Sequence, residues 1–326
     1  MSYFLIGASG FVGSKLISVL GVKNCKNLDK NQSPFFPEIT KIGDIRYKNQ
    51  IVLDKKSRTV ILLAAEHRDD VNPKSLYYDV NVKGVKNVLD CMDDYAIKNI
   101  IFTSTVAVYG LNKFNPDETH ATDPFNHYGK SKLMGEMVIK DWYDKDPKNK
   151  SAIIVRPTVI FGERNRGNVY NLLKQVSSKR FLMIGNGLNK KSMAYVGNVA
   201  NFIKFYTEMD KIGYDIYNYV DKPDMSMNDL LDRIQHKLQI NIPNFKIPYF
   251  LGIIVGYFFD FLNFLFRKKL PISSVRVKKF CATTQFNAEK AHSVFNAPFT
   301  LEEGLNSTLD HEFINPKDDD VLFYSE

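Results

Sequence analysis

The sequence predicts an α/β fold: a Rossmann-type, doubly wound parallel sheet followed by a smaller, mostly helical lobe. Three observations predict it. A short apolar run, Tyr3-Phe4-Leu5-Ile6, leads straight into a glycine loop, Gly7-Ala8-Ser9-Gly10-Phe11-Val12-Gly13. β-Branched runs then alternate with longer helical patterns through the first half of the chain. That rhythm gives parallel strands covered on both faces. Beyond about Gly162 the rhythm breaks, and strand signals become short and scattered.

Taken in order, Tyr3 to Ile6 is a buried strand and Phe11 to Leu20 the helix after the loop. Asn24 to Leu28 is a second strand, a third ends before Asp44, and Val60 to Leu63 is a stronger one. Leu76 to Tyr95 is helical, because Val80, Val85, Val88, Leu89 and Met92 recur at near-helical spacing. Asn99 to Thr103 and Ala152 to Val155 are strands on either side of a long helix, His127 to Tyr143. Tyr170 to Ser178 and Asn228 to Leu238 are helices of the second lobe. The expected organisation is a cofactor-binding domain over 1–164, joined by later strands from about 190–220, and a mainly substrate-binding lobe over 165–326. The acidic run Asp318-Asp319-Asp320 reads as a solvated tail.

Composition limits the function classes. Of 326 residues, 44% are hydrophobic and 25% charged, which excludes collagen, coiled-coil, multi-span membrane and disordered chains. Cys25, Cys91 and Cys281 are far apart and form no CxxC pair, so neither a disulfide framework nor a cysteine metal site is expected, and a reducing compartment fits. The net charge of +8 suits an anionic partner. No basic-aromatic motif accompanies it, so no nucleic-acid partner is expected. No secretory segment precedes the glycine loop, and a cytoplasmic location is expected.

The glycine loop has the chemistry of a pyrophosphate cradle, since glycines allow the turn and the close backbone approach. Asp29 stands at the end of the second strand, 22 residues after Gly7. A carboxylate there accepts the adenosine ribose hydroxyls and repels a 2′-phosphate, which favours NAD over NADP. Lys30 beside it softens that discrimination, and Asp44 and Ile45 suit the adenine rim.

The long helix opens with Tyr128-Gly129-Lys130-Ser131-Lys132, so Tyr128 and Lys132 share one face at i and i+4. A cation beside a phenol lowers the phenol's pKa toward working pH. Some twenty residues earlier, Thr103-Ser104-Thr105 ends a buried strand at the carboxyl edge, where such sheets bind ligands. Arg156-Pro157-Thr158-Val159-Ile160-Phe161-Gly162 leaves the next strand at the same edge.

In this order the glycine loop, Asp29, Leu63-Ala64-Ala65, Asn81, the hydroxyl strand, YxxxK and RPxxxxG resemble the extended short-chain dehydrogenase/reductases, the family of sugar-nucleotide epimerases and dehydratases. The resemblance runs to Asn287-Ala288-Glu289-Lys290-Ala291 and the Pro298 to Gly304 segment. It implies Tyr128 as acid/base, Lys132 as its electrostatic partner and ribose ligand, and Thr105 as the hydroxyl that holds the substrate oxygen. It implies a cofactor site of Gly7, Ser9, Gly10, Phe11, Val12, Gly13, Asp29, Lys30, Asp44, Ile45, Leu63, Ala64, Ala65, Asn81, Tyr128, Lys132 and Pro157, and a homodimer through the Leu76 and His127 helices. Dehydratases of the family carry Asp-Glu after the catalytic Thr; Val106-Ala107 stand here and cannot shuttle protons. Sugar 4-epimerisation with retained NAD is the expected reaction.

Asn168, Lys191, Arg276 and Thr284 are the substrate candidates, with Lys278 and Lys279 nearby. Thr284 falls where some 4-epimerases carry a bulky Tyr, and its smaller side chain leaves room for an N-acetylhexosamine. Ile247 to Phe266 is almost wholly apolar and reads first as a helix dipping into a membrane interface, then as a buried lobe helix, and least as a span. Arg267-Lys268-Lys269 follow, suited to anionic headgroups on the cytoplasmic face of the inner membrane. Three idiosyncratic runs, Ala64 to Val71, Phe161 to Tyr170 and Val277 to Phe286, narrow the resemblance to family members acting on a lipid-linked sugar diphosphate for O-antigen or other surface polysaccharide. A soluble UDP-N-acetylhexosamine 4-epimerase and a non-catalytic NAD-binding scaffold are the alternatives. Glu66, His67 and Arg68, just past a strand end, either meet the diphosphate or brace their loop.

Overall fold

The computed structural model describes residues 2–68, 70–209, 213–243, 245–266 and 273–324. The basic run Arg267-Lys268-Lys269 lies outside the described residues.

Strand β1 (Tyr3–Ile6) is followed by α1 (Phe11–Leu20), β2 (Cys25–Asp29), β3 (Thr40–Ile42) and β4 (Thr59–Leu62). Next come α2 (Ser75–Tyr78), a π-helical segment (Asp79–Gly84), α3 (Val85–Asp94), β5 (Asn99–Thr103), a 3₁₀ turn (Val106–Tyr109), α4 (His127–Asp144) and β6 (Ser151–Pro157). The second half contains β7 (Val159–Phe161), α5 (Asn168–Ser177), β8 (Met183–Ile184), β9 (Lys190–Tyr195), α6 (Val196–Glu208) and β10 (Gly213–Tyr219). It continues with β11 (Asp221–Ser226), α7 (Met227–Leu238), β12 (Lys246–Ile247), α8 (Tyr249–Phe266), α9 (Ser274–Cys281), α10 (Glu289–His292) and α11 (Leu301–Leu309).

Seven strands form one sheet in the order β10-β6-β5-β4-β1-β2-β3, every pair parallel. This is the doubly wound sheet expected from the alternating pattern. One face is covered by α1 and α6 through Leu16, Ile17, Phe202 and Ile203, the other by α3 and α4 through Val88, Met92, Ile139 and Trp142. Burial on both faces explains why these strands read as unbroken apolar runs. Of the later strands, β10 enters this sheet beside β6, whereas β9 pairs with β7 and β11 in a separate three-stranded sheet. A second core, built from Leu173, Val176, Leu230, Ile234, Leu305 and Leu309, joins α5, α7 and α11.

The expected single helix over Leu76 to Tyr95 is interrupted by the π segment. Its widened turn carries Asn81, and α4 comes so close there that a Cβ on Gly135 would stand 2.5 Å from the Asn81 carbonyl oxygen.

Helix α8 corrects the reading as a buried lobe helix. It packs on α9 and β8 through a narrow seam: a Cβ on Gly256 would lie 2.7 Å from the Ser274 backbone of α9, and one on Gly252 2.5 Å from Ile184 of β8. Phe250, Ile254, Tyr257, Phe258, Phe261, Leu265 and Phe266 are all exposed. Among the described residues no helix is long and apolar enough to cross a membrane.

Candidate active site

Because all seven strands are parallel, the ends of β1, β2, β4, β5 and β6 open on one edge of the sheet. Their following residues converge there.

The glycine loop fits a dinucleotide. Gly7 has φ +85°, and a Cβ on it would strike the Ala64 backbone nitrogen at 2.4 Å. A Cβ on Gly13 would strike Ala8 at 2.2 Å, whereas one on Gly10 would meet only the Gly7 oxygen at 3.9 Å. The first and third glycines therefore close the turn onto the sheet, and the second leaves the cradle that a pyrophosphate fills. Ser9 N–H donates to Asp29 Oδ2 at 2.9 Å, and Asn31 N–H to Oδ1 at 2.9 Å, so the Asp29 carboxylate is locked beside the loop. Lys30 is exposed. Asp44 is engaged by Arg46, whose Nε and Nη2 donate to Oδ2 at 2.9 and 2.6 Å; burial pushes its carboxyl upward, but Arg46 holds it below the usual range. The Ile45 side chain is buried in the core rather than at a rim.

Leu63, Ala64 and Ala65 leave β4 half-exposed along the cleft. Asn81 does not offer its side chain to a cofactor. Its amide donates to the Glu66 oxygen and Ser131 Oγ, both at 2.9 Å, and its oxygen accepts from Glu66 N–H at 2.9 Å. Through the Glu66 backbone it clamps the loop after β4 to α4. His67 and Arg68 are exposed beyond it.

The structure brings Thr105, Tyr128 and Lys132 together. Thr105 caps the 3₁₀ turn, its Oγ1 accepting from Ala107 N–H at 3.1 Å. Asn126 caps α4 and so sets Tyr128 and Lys132 on that helix's first two turns. The Tyr128 phenol faces the Thr105 side chain; burial pushes its pKa up to about 12, and Thr105 partly offsets that. Lys132 is buried, its Nζ 4.0 Å from the Phe102 ring centroid, with no hydrogen-bond partner among the described residues. Burial pushes it down to about 7, and Glu136 opposes that. An unpartnered buried amine is costly. It is the donor that the ribose hydroxyls of a nicotinamide cofactor would satisfy.

Behind Lys132 stands a buried network that the sequence reading missed. Arg156 donates to Glu136 through Nε at 2.9 Å and Nη2 at 2.6 Å, and through Nη1 to Tyr109 OH at 2.8 Å. Tyr109 OH donates to Asn218 Oδ1 at 2.8 Å, and Ser104 Oγ to Glu136. Burial opposes the charge on Arg156, and Glu136 outweighs it, so the guanidinium stays charged. Glu136 continues the Tyr128, Lys132 spacing by one turn, which is the signal that could have found it. Pro157 ends β6 opposite Tyr219.

The substrate candidates lie in the second lobe. Lys191 Nζ donates to the Lys279 and Ala282 oxygens at 2.8 and 2.5 Å, and burial pushes it down to about 8. Thr284 is exposed and bridged to Lys191 along the backbone. Asn168 opens α5 and Arg276 lies on the first turn of α9, both exposed. The acidic tail is not simply solvated: the Asp320 side chain is only 9% exposed and meets Arg164 Nε at 2.7 Å. Three residues on, Phe323 packs 6.1 Å from both Phe11 of the glycine loop and Phe35.

The sequence pattern of the NAD dependent epimerase/dehydratase family matches residues 3–219. The chain belongs to this family. The cofactor of the family is NAD, and the open cradle at Gly10 and the unpartnered Lys132 fit it. Over 99% of this chain and 98% of the relative, it is 59% identical to the N-acetyl-α-D-glucosaminyl-diphospho-ditrans,octacis-undecaprenol 4-epimerase of Escherichia coli O157:H7. A UDP-glucose 4-epimerase from Vibrio cholerae is 25% identical over 94% of each chain. Among solved structures, the UDP-N-acetylglucosamine 4-epimerase of Bacillus cereus superposes with a TM-score of 0.72, covering 94% of this chain and 98% of that one at 14% identity. That likeness concerns the fold.

Proposed function

We propose that this epimerase-family enzyme inverts C4 of a lipid-linked sugar. It would interconvert N-acetylglucosaminyl- and N-acetylgalactosaminyl-diphospho-undecaprenol through a 4-keto intermediate, for O-antigen or related surface polysaccharide. The observation that carries this reading is the 59% identity, end to end, with an enzyme named for that reaction. An intact Thr105, Tyr128 and Lys132 set supports it against the non-catalytic scaffold.

Bound NAD supplies a hydride acceptor that returns what it takes. The protein's part is the proton. Tyr128 removes it from the sugar 4-OH and gives it back, Thr105 holds the same oxygen, and the Lys132 ammonium stabilises the phenolate. Val106 and Ala107 offer no second acid or base for water elimination. Lys191 and Arg276 serve the diphosphate, Asn168 and Thr284 the sugar side of the lobe.

The exposed apolar face of α8 and the net charge of +8 support seating at the anionic cytoplasmic face of the inner membrane. Met134 and Met137, exposed on α4, support a homodimer through that helix. The deciding experiment offers purified enzyme N-acetylglucosaminyl-diphospho-undecaprenol and UDP-N-acetylglucosamine side by side and reads C4 inversion from the released sugar. Turnover of the lipid-linked sugar alone is expected; turnover of the UDP-sugar alone would make the enzyme a nucleotide-sugar epimerase.

A further inference from the structure

We infer that the cavity between β8, β12 and α9 receives the diphosphate and the first isoprene units of a prenyl-linked sugar, with the start of α8, at Tyr249, on its rim. This deepens the epimerase reading and rests on it. The cavity measures about 720 Å³.

Its lining is amphipathic. Ile184, Ile247, Pro248 and Tyr249 form an apolar wall, and Lys246 and Lys278 stand on the same cavity. Lys246 Nζ donates to the Asn186 oxygen and Asn228 Oδ1, both at 3.2 Å, and Lys278 Nζ to Tyr257 OH at 3.1 Å. Neither lysine meets a carboxylate within salt-bridge distance among the described residues. Two cations that, among the described residues, donate directly to neutral oxygens beside an apolar wall match a ligand that is anionic at one end and hydrocarbon at the other.

One segment joins this cavity to the catalytic residues. Ala282 lines the cavity and accepts from Lys191. Thr284 pairs with Lys191, Phe286 N–H donates to Ser192 Oγ at 3.1 Å, and the Phe286 ring packs 6.1 Å from Tyr109, at the end of the turn that Thr105 caps. From Ala282 to Phe286 an extended chain spans about 13 Å, the reach of a hexose and a diphosphate laid end to end. A sugar at Tyr128 would therefore place its diphosphate toward Lys191 and the cavity. The hydrocarbon leaving the cavity passes Tyr249 onto the exposed Phe250, Ile254 and Phe258 rather than into water.

Cys281 provides the test. It lines the cavity and is partly exposed, whereas Cys25 and Cys91 are buried. Alkylation of the native enzyme by N-ethylmaleimide is followed by mass spectrometry with farnesyl diphosphate, farnesol, inorganic pyrophosphate or UDP present. Farnesyl diphosphate should slow Cys281 labelling at least tenfold, and the other three should not. No slowing by farnesyl diphosphate, or equal slowing by UDP, pyrophosphate or farnesol, would overturn the assignment. Calorimetric binding of farnesyl diphosphate should weaken at least tenfold in Ile247→Glu, and unchanged affinity would also refute it. Thiol protection is independent of turnover. Inversion of the lipid-linked sugar without protection removes the cavity assignment alone, and protection without inversion keeps the cavity and removes the epimerase reading.

Discussion

Burial without a partner disfavours the Lys132 charge, and that has consequences for stability as well as chemistry. Its folded-state pKa of about 7 lies below the unfolded value near 10.4. Between those values the unfolded chain binds more protons, so this group makes the NAD-free protein more stable as pH rises from about 7 toward 10. Lys132→Met should flatten that rise, measured as Tm at pH 7 and 9 without NAD; an unchanged slope would contradict the unpartnered amine. Tyr128→Phe removes the proton carrier and should lower kcat by about 10²–10⁴-fold with the fold retained; near-normal turnover would sink the assignment. At this scale Tyr128 and Lys132 were legible as a pair because they sit one turn apart on one helix, whereas Thr105 was singled out from its hydroxyl-rich strand end only by the family resemblance. The Glu136–Arg156 pair was not, because its partners come from α4 and β6 and only packing joins them. Asn81 was legible as a position but not as a role, since its hydrogen bonds run to a loop and a helix distant in sequence.

Helix α8 was legible as an element and misjudged by one of its readings. Apolar residues on every face made it a helix, yet a narrow glycine seam against α9 and β8 leaves most of its circumference uncovered. Phe258→Glu with Phe261→Glu changes only exposed positions, so folding should survive while co-sedimentation with anionic vesicles is lost. Sedimentation at the wild-type level would refute seating in the interface. Gly256→Val places a side chain against the Ser274 backbone and should cost about 1–3 kcal/mol by overpacking, read as a shift in the denaturation midpoint.

Across the whole molecule, the chain after α11 returns to the cofactor side. Phe323 packs against Phe11 and Phe35, and Asp320 against Arg164. An epimerase must keep its cofactor between hydride removal and return, and this contact covers the helix that follows the phosphate cradle. Deleting residues 316–326 should therefore speed NAD release about tenfold, the loss of roughly 1.4 kcal/mol, measured by fluorescence after rapid dilution. An unchanged release rate would show that the tail packs without retaining NAD. Nothing local in Asp318-Asp319-Asp320 announces this, because a charge run acquires a partner only when the fold delivers one.

The sequence by itself determined the parallel sheet, the glycine cradle, Asp29 and the tyrosine–lysine helix, because each follows from periodicity or spacing within about thirty residues. Tertiary structure alone decided that β10 joins the sheet while β9 leaves it, that α8 stays exposed, and that the tail packs beside the glycine loop. Those outcomes depend on contacts between segments up to 150 residues or more apart, such as Arg164 with Asp320, and burial is a property of neighbours rather than of a residue's own chemistry.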